Sequence, residues 1–101
     1  MKIKPDELLP FTRSSIENVV PPVLAMYALT RGEEVIYIGA AASAQSELME
    51  HLAGTKGPGT AGATHFVWHQ SEVPEESRDT ALEAFQARFG RLPEFNAPVS
   101  I

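Results

Sequence analysis

Two apolar runs separated by a short polar turn dominate the first half of the chain. Residues 23–29 and 34–38 are rich in aliphatic and aromatic side chains, and residues 30–33 between them include a glycine where a tight turn needs a positive φ. This pattern predicts an antiparallel hairpin whose second strand ends at Gly39. The β-branched and aromatic content of residues 64–69 predicts a third strand.

Helical spacing of apolar residues occurs twice. Ser43 is a suitable N-cap for a helix over residues 44–53, which Gly54 would end. A second helix is predicted over residues 75–89, because Pro74 suits a first helical position and an apolar stripe with helical spacing follows it.

The segments outside this pattern have weaker signals. Residues 1–22 are predicted to be a short helical or irregular lead-in that ends at the double proline of positions 21–22, with Ser14 as a helix N-cap and Glu17 completing a capping box. Residues 54–62 hold most of the glycines but lack the spacing of a phosphate-binding loop, so they are predicted to be a flexible connection.

The resulting order, β-β-α-β-α, predicts an α+β fold with a small three-stranded antiparallel sheet flanked by helices. A length of 101 residues fits a single domain over residues 1–101, with a core over residues 23–97. The hydrophobic share of 44% and the charged share of 21% are typical of a globular domain. Cysteine is absent from the sequence, which excludes disulfides, cysteine-ligated metals and thiol nucleophiles.

The net charge and the hydropathy pattern limit the classes of partner that the chain is expected to bind. The formal net charge of −5 and the sequence pI of about 5.1 argue against a strongly basic nucleic-acid binder, whose affinity comes mainly from phosphate neutralisation. The longest apolar stretch, residues 19–29, is interrupted by prolines and falls short of the roughly 20 residues of a membrane span. We therefore expect a cytoplasmic protein without a membrane partner.

The hairpin carries the main clue to function. Ala25-Met26-Tyr27 and Tyr37-Ile38-Gly39 resemble the two half-motifs of the GIY-YIG nuclease superfamily. The second half is intact, whereas the first has alanine and methionine where the family usually has glycine and isoleucine. The sequence Glu50-His51-Leu52 and the ending Pro93-Glu94-Phe95-Asn96 also resemble members of this family.

The resemblance implies a set of roles for residues of this chain. In the family a glutamate holds Mg²⁺ or Mn²⁺, a tyrosine helps to deprotonate the attacking water, and an arginine binds the phosphate oxygens. A phenol with an ordinary pKa near 10 needs such a cation nearby to act as a base at neutral pH. The residues implied as catalytic are Tyr27, Tyr37, His51 and Glu83, with Glu83 as the metal ligand and Gly39 and Asn96 as substrate-binding residues.

The chain departs from the family at the arginine. Glu47 stands eight positions beyond Gly39, where the family has its phosphate-binding arginine. At about 5 Å and an effective dielectric constant of about 20, a carboxylate would destabilise a bound phosphate by roughly 3 kcal/mol. An arginine at the same position would stabilise it by a similar amount. Arg31 and Lys56 are the nearest basic residues in sequence that could replace it. We therefore expect weakened or absent nuclease activity.

Each candidate also has an ordinary structural explanation. A tyrosine on a strand commonly packs half-buried, a glutamate beside an apolar helical stripe is commonly solvated, and a histidine on a helix is commonly a surface or capping residue. A sharper hypothesis is that Glu47 and His51, one helical turn apart, face Glu83 and form a site for a divalent metal.

Three functions remain open from the sequence. The chain is interpreted first as a GIY-YIG-like domain that is weakened as a nuclease and acts as an interaction module for a protein or, weakly, for nucleic acid. The second hypothesis is an active endonuclease dependent on Mg²⁺ or Mn²⁺. The third is an unrelated small structural domain in which Tyr-Ile-Gly is a coincidence.

Overall fold

A four-stranded antiparallel sheet forms the centre of the computed structural model, which describes residues 7–56 and 58–96. The strands lie in the order β1-β4-β2-β3. They are β1 (Leu9–Pro10), β2 (Ala25–Arg31), β3 (Glu34–Ala41) and β4 (His65–Gln70). The α+β class and the hairpin are confirmed, whereas the prediction of three strands is wrong by one. Strand β3 also continues two residues past Gly39.

The additional strand is short and sits at an edge of the sheet. Leu9 of β1 pairs with Phe66 of β4, and Pro10 pairs with His65. Proline cannot donate to a sheet ladder and is tolerated at such an edge. A two-residue strand has no alternation to detect, so its existence depends on a partner that lies far away in sequence.

Four helices of the described ranges connect and cover the strands. They are α1 (Arg13–Val19), α2 (Ala44–Ala53), α3 (Pro58–Ala61) and α4 (Pro74–Phe89). The prediction for α2 is confirmed: Ser43 accepts a hydrogen bond from the backbone N–H of Ser46, and Gly54 ends the helix at a φ of 84°. No helix in the described part of the chain is long and apolar enough to cross a membrane.

Two predictions about the less patterned segments are wrong. The N-cap of α1 is Thr12 and not Ser14, since the Thr12 hydroxyl accepts a hydrogen bond from the backbone N–H of Ser15. The segment 54–62, predicted to be only a flexible connection, contains α3. Tertiary contacts with residues distant in sequence hold α3, and local propensity did not indicate them.

The sheet has two differently covered faces. On the tyrosine face, Tyr27, Leu29 and Phe66 pack with residues of α1 and α2 in the larger core. On the α4 face, a smaller core is formed. It consists of Met26, Ala28, Ile38, Val67 and Ala81. Alternation along β2 sends successive side chains to opposite faces, so the hairpin motif contributes to both cores.

Candidate active site

A chain of hydrogen bonds links three side chains beneath the tyrosine face. The Tyr27 hydroxyl lies 2.7 Å from His51 Nε2, and His51 Nδ1 lies 3.0 Å from Thr60 Oγ1. The three residues come from β2, α2 and α3, and their exposed fractions are 1%, 2% and 5%. His51 is therefore a buried, fully bonded residue and not the surface or capping residue that a helical histidine commonly is.

The protonation states of Tyr27 and His51 follow from their burial. Burial raises the pKa of Tyr27 well above its ordinary value, and the charge of Glu47 raises it further, so the phenol keeps its proton. Burial also lowers the pKa of His51, with only partial opposition from Glu47. A neutral imidazole has one donor and one acceptor nitrogen, which the hydroxyls of Tyr27 and Thr60 can both satisfy.

The two motif tyrosines lie together over the motif glycine. The ring of Tyr37 is 6.1 Å from that of Tyr27 and 5.0 Å from that of His51. Tyr27 is paired with Gly39 across the hairpin, and a Cβ added at Gly39 would lie 2.4 Å from Tyr27 Cζ. Only glycine leaves room for the buried tyrosine ring at this position.

Glu47 lies beside this cluster, at the position where the resemblance places arginine. Its Oε1 atom is 3.0 Å from Lys56 Nζ, and Lys56 also lies 3.5 Å from Glu50. The hydrogen bond to Glu47 raises the pKa of Lys56. The second carboxylate atom, Glu47 Oε2, is buried and has no hydrogen-bond partner among the residues that the structure describes. Two carboxylates and one ammonium thus leave a net negative charge here.

The other candidate residues are placed apart from the buried cluster. Glu83 is exposed on α4, and within residues 7–56 and 58–96 it makes no hydrogen bond or ion pair. The Asn96 amide is engaged with β3, since its Oδ1 accepts from Ile38 N–H at 2.8 Å and its Nδ2 donates to Ile38 C=O at 2.9 Å. Arg31 is paired with Glu34 and Glu94, so of the two basic residues considered, only Lys56 reaches the cluster.

The residues described here do not fit a preformed divalent-metal site. No group of three or more histidine, aspartate or glutamate side chains in the described ranges could hold a metal ion. The proposed set of Glu47, His51 and Glu83 therefore does not form. Lys56 already supplies the cation at Glu47, both ring nitrogens of His51 are occupied, and Glu83 would offer a single exposed carboxylate.

The chemistry available to the cluster is hydrogen bonding and the holding of a proton. The Tyr27 hydroxyl keeps its proton and can donate a hydrogen bond to the neutral His51 ring, which has the Thr60 hydroxyl on its other side. Sequence analysis missed Thr60 and did not anticipate that Lys56 would contact Glu47. Both lie in or beside the glycine-rich segment. Thr60 had no sequence signal beyond a side chain able to hydrogen-bond, and Lys56 had only its nearness in sequence to Glu47.

Comparison with solved structures supports the fold described above. No family model and no curated protein matches the chain. Among solved structures, the chain is similar to the GIY-YIG N-terminal endonuclease domain of UvrC from Thermotoga maritima, a point mutant bound to its catalytic divalent cation. The TM-score is 0.61 at 16% sequence identity, over 85% of this chain and 94% of that one. The chain therefore has a GIY-YIG-like fold, which contradicts the hypothesis of an unrelated fold.

Proposed function

We propose that this chain is a GIY-YIG-fold domain whose ability to cleave phosphodiesters is weakened or lost, and that it acts as a binding module. The observation that carries this proposal is the ion pair between Glu47 and Lys56 beside Tyr27. A phosphate approaching this position meets a carboxylate where a nuclease of this fold needs a cation. The ammonium group that could offset that charge is already shared between two carboxylates.

The burial of Tyr27, which the resemblance implies as a catalytic residue, supports the same proposal. Tyr27 is 1% exposed, and its hydroxyl is bonded to His51. A raised pKa keeps this phenol protonated, so it is a poor base for activating water at neutral pH. The partly exposed Tyr37 is the more accessible phenol, but Lys56, the basic side chain at Glu47, is already paired with two carboxylates.

Lys56 also favours a second candidate, an active endonuclease. Its Nζ lies 3.0 Å from Glu47, so a cation does stand at the arginine position, although it comes from a different segment. Release of Lys56 from the two carboxylates by an incoming phosphate would give that phosphate a positive partner. Such an enzyme would depend on Mg²⁺ or Mn²⁺ arriving with the nucleic acid, with Glu83 and Asn96 as its remaining candidate site residues.

A plasmid-nicking assay separates the two candidates. Wild type should convert supercoiled plasmid to the open circle weakly or not at all in Mg²⁺ or Mn²⁺, whereas Glu47→Arg should increase the rate. The matched control is Glu33→Arg, which makes the same charge change at an exposed turn residue. Equal gains in both variants would show general attraction to DNA and would contradict the proposal.

Wild-type cleavage would favour the second candidate, provided that it comes from this site. Such cleavage should be lost in Lys56→Gln, because that variant keeps a polar side chain and removes the cation. It should also be lost in Glu83→Ala if that residue binds the metal. Cleavage that persists in both variants and in Tyr37→Phe would come from a contaminating nuclease and would leave the proposal intact.

Binding to nucleic acid should be weak. With a net charge of −5, the chain can neutralise few phosphates, so we expect a Kd for duplex DNA of about micromolar or weaker at physiological salt. Titration of labelled duplex, single-stranded and branched DNA at two salt concentrations measures this. Tight duplex binding with a steep salt dependence would return the active nuclease to first place.

A further inference from the structure

Within residues 7–56 and 58–96, the outer edge of strand β3 is covered only in part. Phe95 N–H donates to Ile36 C=O at 2.9 Å, and the Asn96 amide bonds to both backbone groups of Ile38. These contacts occupy the edge as an added strand would. Ala40, two residues further along, is the next residue whose backbone groups face outward, because outward and inward groups alternate in an antiparallel ladder.

The register of the sheet supports this assignment. The carbonyl of Leu24 accepts from Ser71 on the β4 side, whereas the carbonyl of Val23 accepts from Ala44 on the β3 side. The backbone N–H and C=O groups of the even-numbered residues of β2 thus point toward β4. The backbone groups of their partners on β3, including Ala40 opposite Met26, therefore point away from the hairpin. Among residues 7–56 and 58–96, none hydrogen-bonds to the outward N–H and C=O of Ala40.

A groove of about 370 Å³ adjoins this open edge. Its floor includes the small side chains of Ala40, Ala41 and Ala42, which leave room beside the strand. Two large apolar side chains line it while remaining in contact with solvent: Leu24 is 45% exposed and Val73 is 51% exposed. An added strand would direct alternate side chains into such a groove.

The charge of the groove selects its occupant. Glu72, Glu75 and Glu76 line it, no lysine or arginine does, and in the described part of the chain none of the three glutamates has an ion-pair partner. Glu75 and Glu76 also suit the first turn of α4, where negative charge is favoured, but their charge still faces an incoming ligand. A polyanion such as DNA is repelled here, whereas a basic segment is attracted.

We propose that β3 docks an extended basic segment of a partner protein, which adds to the sheet at Ala40 and places an apolar side chain between Leu24 and Val73. Backbone hydrogen bonds at Ala40 supply the register, the groove supplies the apolar contact, and the three glutamates supply the preference for lysine or arginine. This inference rests on the proposed binding role and names the surface that the role would use.

The test uses the full chain and a short synthetic peptide that alternates valine and lysine. Binding is measured by calorimetry, and the contact is located by the NMR shift of the Ala40 amide. Wild type should bind this peptide and should bind the same peptide with glutamate in place of lysine far more weakly. N-methylation of the amides on one edge of the peptide should abolish binding, because that edge supplies the strand hydrogen bonds.

Variants of the chain separate the backbone contribution from the charge contribution. Ala40→Pro removes the outward N–H at an edge position where proline is tolerated, and should weaken binding by at least about tenfold, the effect of one lost hydrogen bond with added crowding. Glu72→Lys should weaken binding several-fold at low salt and less at high salt. Glu33→Lys, with the same charge change in the hairpin turn, should bind as wild type does. Circular dichroism confirms that each variant is folded.

Several outcomes would overturn the proposal. They are equal affinity for the lysine and glutamate peptides, amide shifts that avoid Ala40, and full binding by a folded Ala40→Pro variant. Binding that requires deletion of residues 97–101 would instead assign this edge to the chain's own terminal residues. A wild-type chain that nicks plasmid would contradict the proposed loss of cleavage while leaving the result at β3 unaffected, so the two failures are distinguishable.

Discussion

The two faces of the sheet hold their candidate site residues under opposite conditions. On the tyrosine face, Tyr27 and His51 are buried and hydrogen-bonded to each other within the larger core. On the α4 face, the side chain of Glu83 is exposed on the outer side of its helix. The first pair supports the fold whether or not the protein catalyses anything, whereas Glu83 makes no hydrogen bond or ion pair within the described part of the chain.

This difference changes what the motif residues indicate. A buried tyrosine whose hydroxyl is bonded to a buried histidine is needed for packing, so its presence is poor evidence for cleavage. Glu47 is the informative residue, because it is partly exposed and close to the tyrosines, and a charge there affects a ligand more than it affects the core. The buried part of a GIY-YIG-like arrangement is thus present in this fold, whereas the charge at Glu47 differs from the one that the sequence resemblance implies.

The largest effect is expected from Gly39→Ala. The added Cβ would lie 2.4 Å from Cζ of the buried Tyr27 ring, so either the ring or the strand must move. Overpacking of this kind should lower the free energy of unfolding by about 2 kcal/mol or more, measured by urea denaturation. Gly62→Ala is the control, since a Cβ there meets only Gly59 O at 3.4 Å. Equal losses in the two variants would contradict the packing role of Gly39.

Sequence patterns predicted the parts of the fold that depend on local periodicity. Strands β2, β3 and β4 and helices α2 and α4 all contain enough residues to show a period, and their ends carry glycines or caps. The contacts of Thr60 with His51 could not be predicted, because α3 has four residues of mixed propensity and is held by tertiary contacts. The same holds for Gly59, which packs directly beneath the Phe95 ring.

Of the candidate site, the sequence predicted the residue types but not their surroundings. The resemblance identified Tyr27, Tyr37 and His51, and the structure brings these three together. The ion pair of Glu47 with Lys56 spans the end of α2, where a turn in the backbone decides which side chains meet. Glu83 borders the apolar stripe of α4, so the sequence left open whether its side chain would reach a site or be solvated, and the structure shows it exposed.

A smaller loss of stability is expected for Tyr27→Phe than for Gly39→Ala. Its comparison with Glu83→Gln is the most direct test of the difference between the two faces of the sheet. Removal of the Tyr27 hydroxyl leaves His51 Nε2 without its buried partner, which should cost about 1–2 kcal/mol of unfolding free energy. Glu83→Gln changes an exposed residue without a hydrogen bond and should stay within about 0.5 kcal/mol. Urea denaturation of both variants measures the difference, and comparable losses would show that Glu83 has a structural role.

The smallest effect is a pH dependence of stability that belongs to His51. Burial lowers the pKa of His51 in the folded protein below its value in the unfolded chain, so the unfolded chain binds a proton first as the pH falls. Stability from this group is therefore complete above a pH of about 6.5, the ordinary histidine pKa, and decreases on acidification until the folded pKa is also passed.

Denaturant midpoints measured across this range should fall with pH in wild type and in His69→Gln, which alters an exposed histidine. In His51→Gln the denaturant midpoint should decrease less on acidification than in wild type, because the glutamine amide does not titrate. A His51→Gln variant with an unchanged pH profile would mean that His51 has the same pKa in the folded and unfolded chains, and would contradict the lowered pKa of the buried ring.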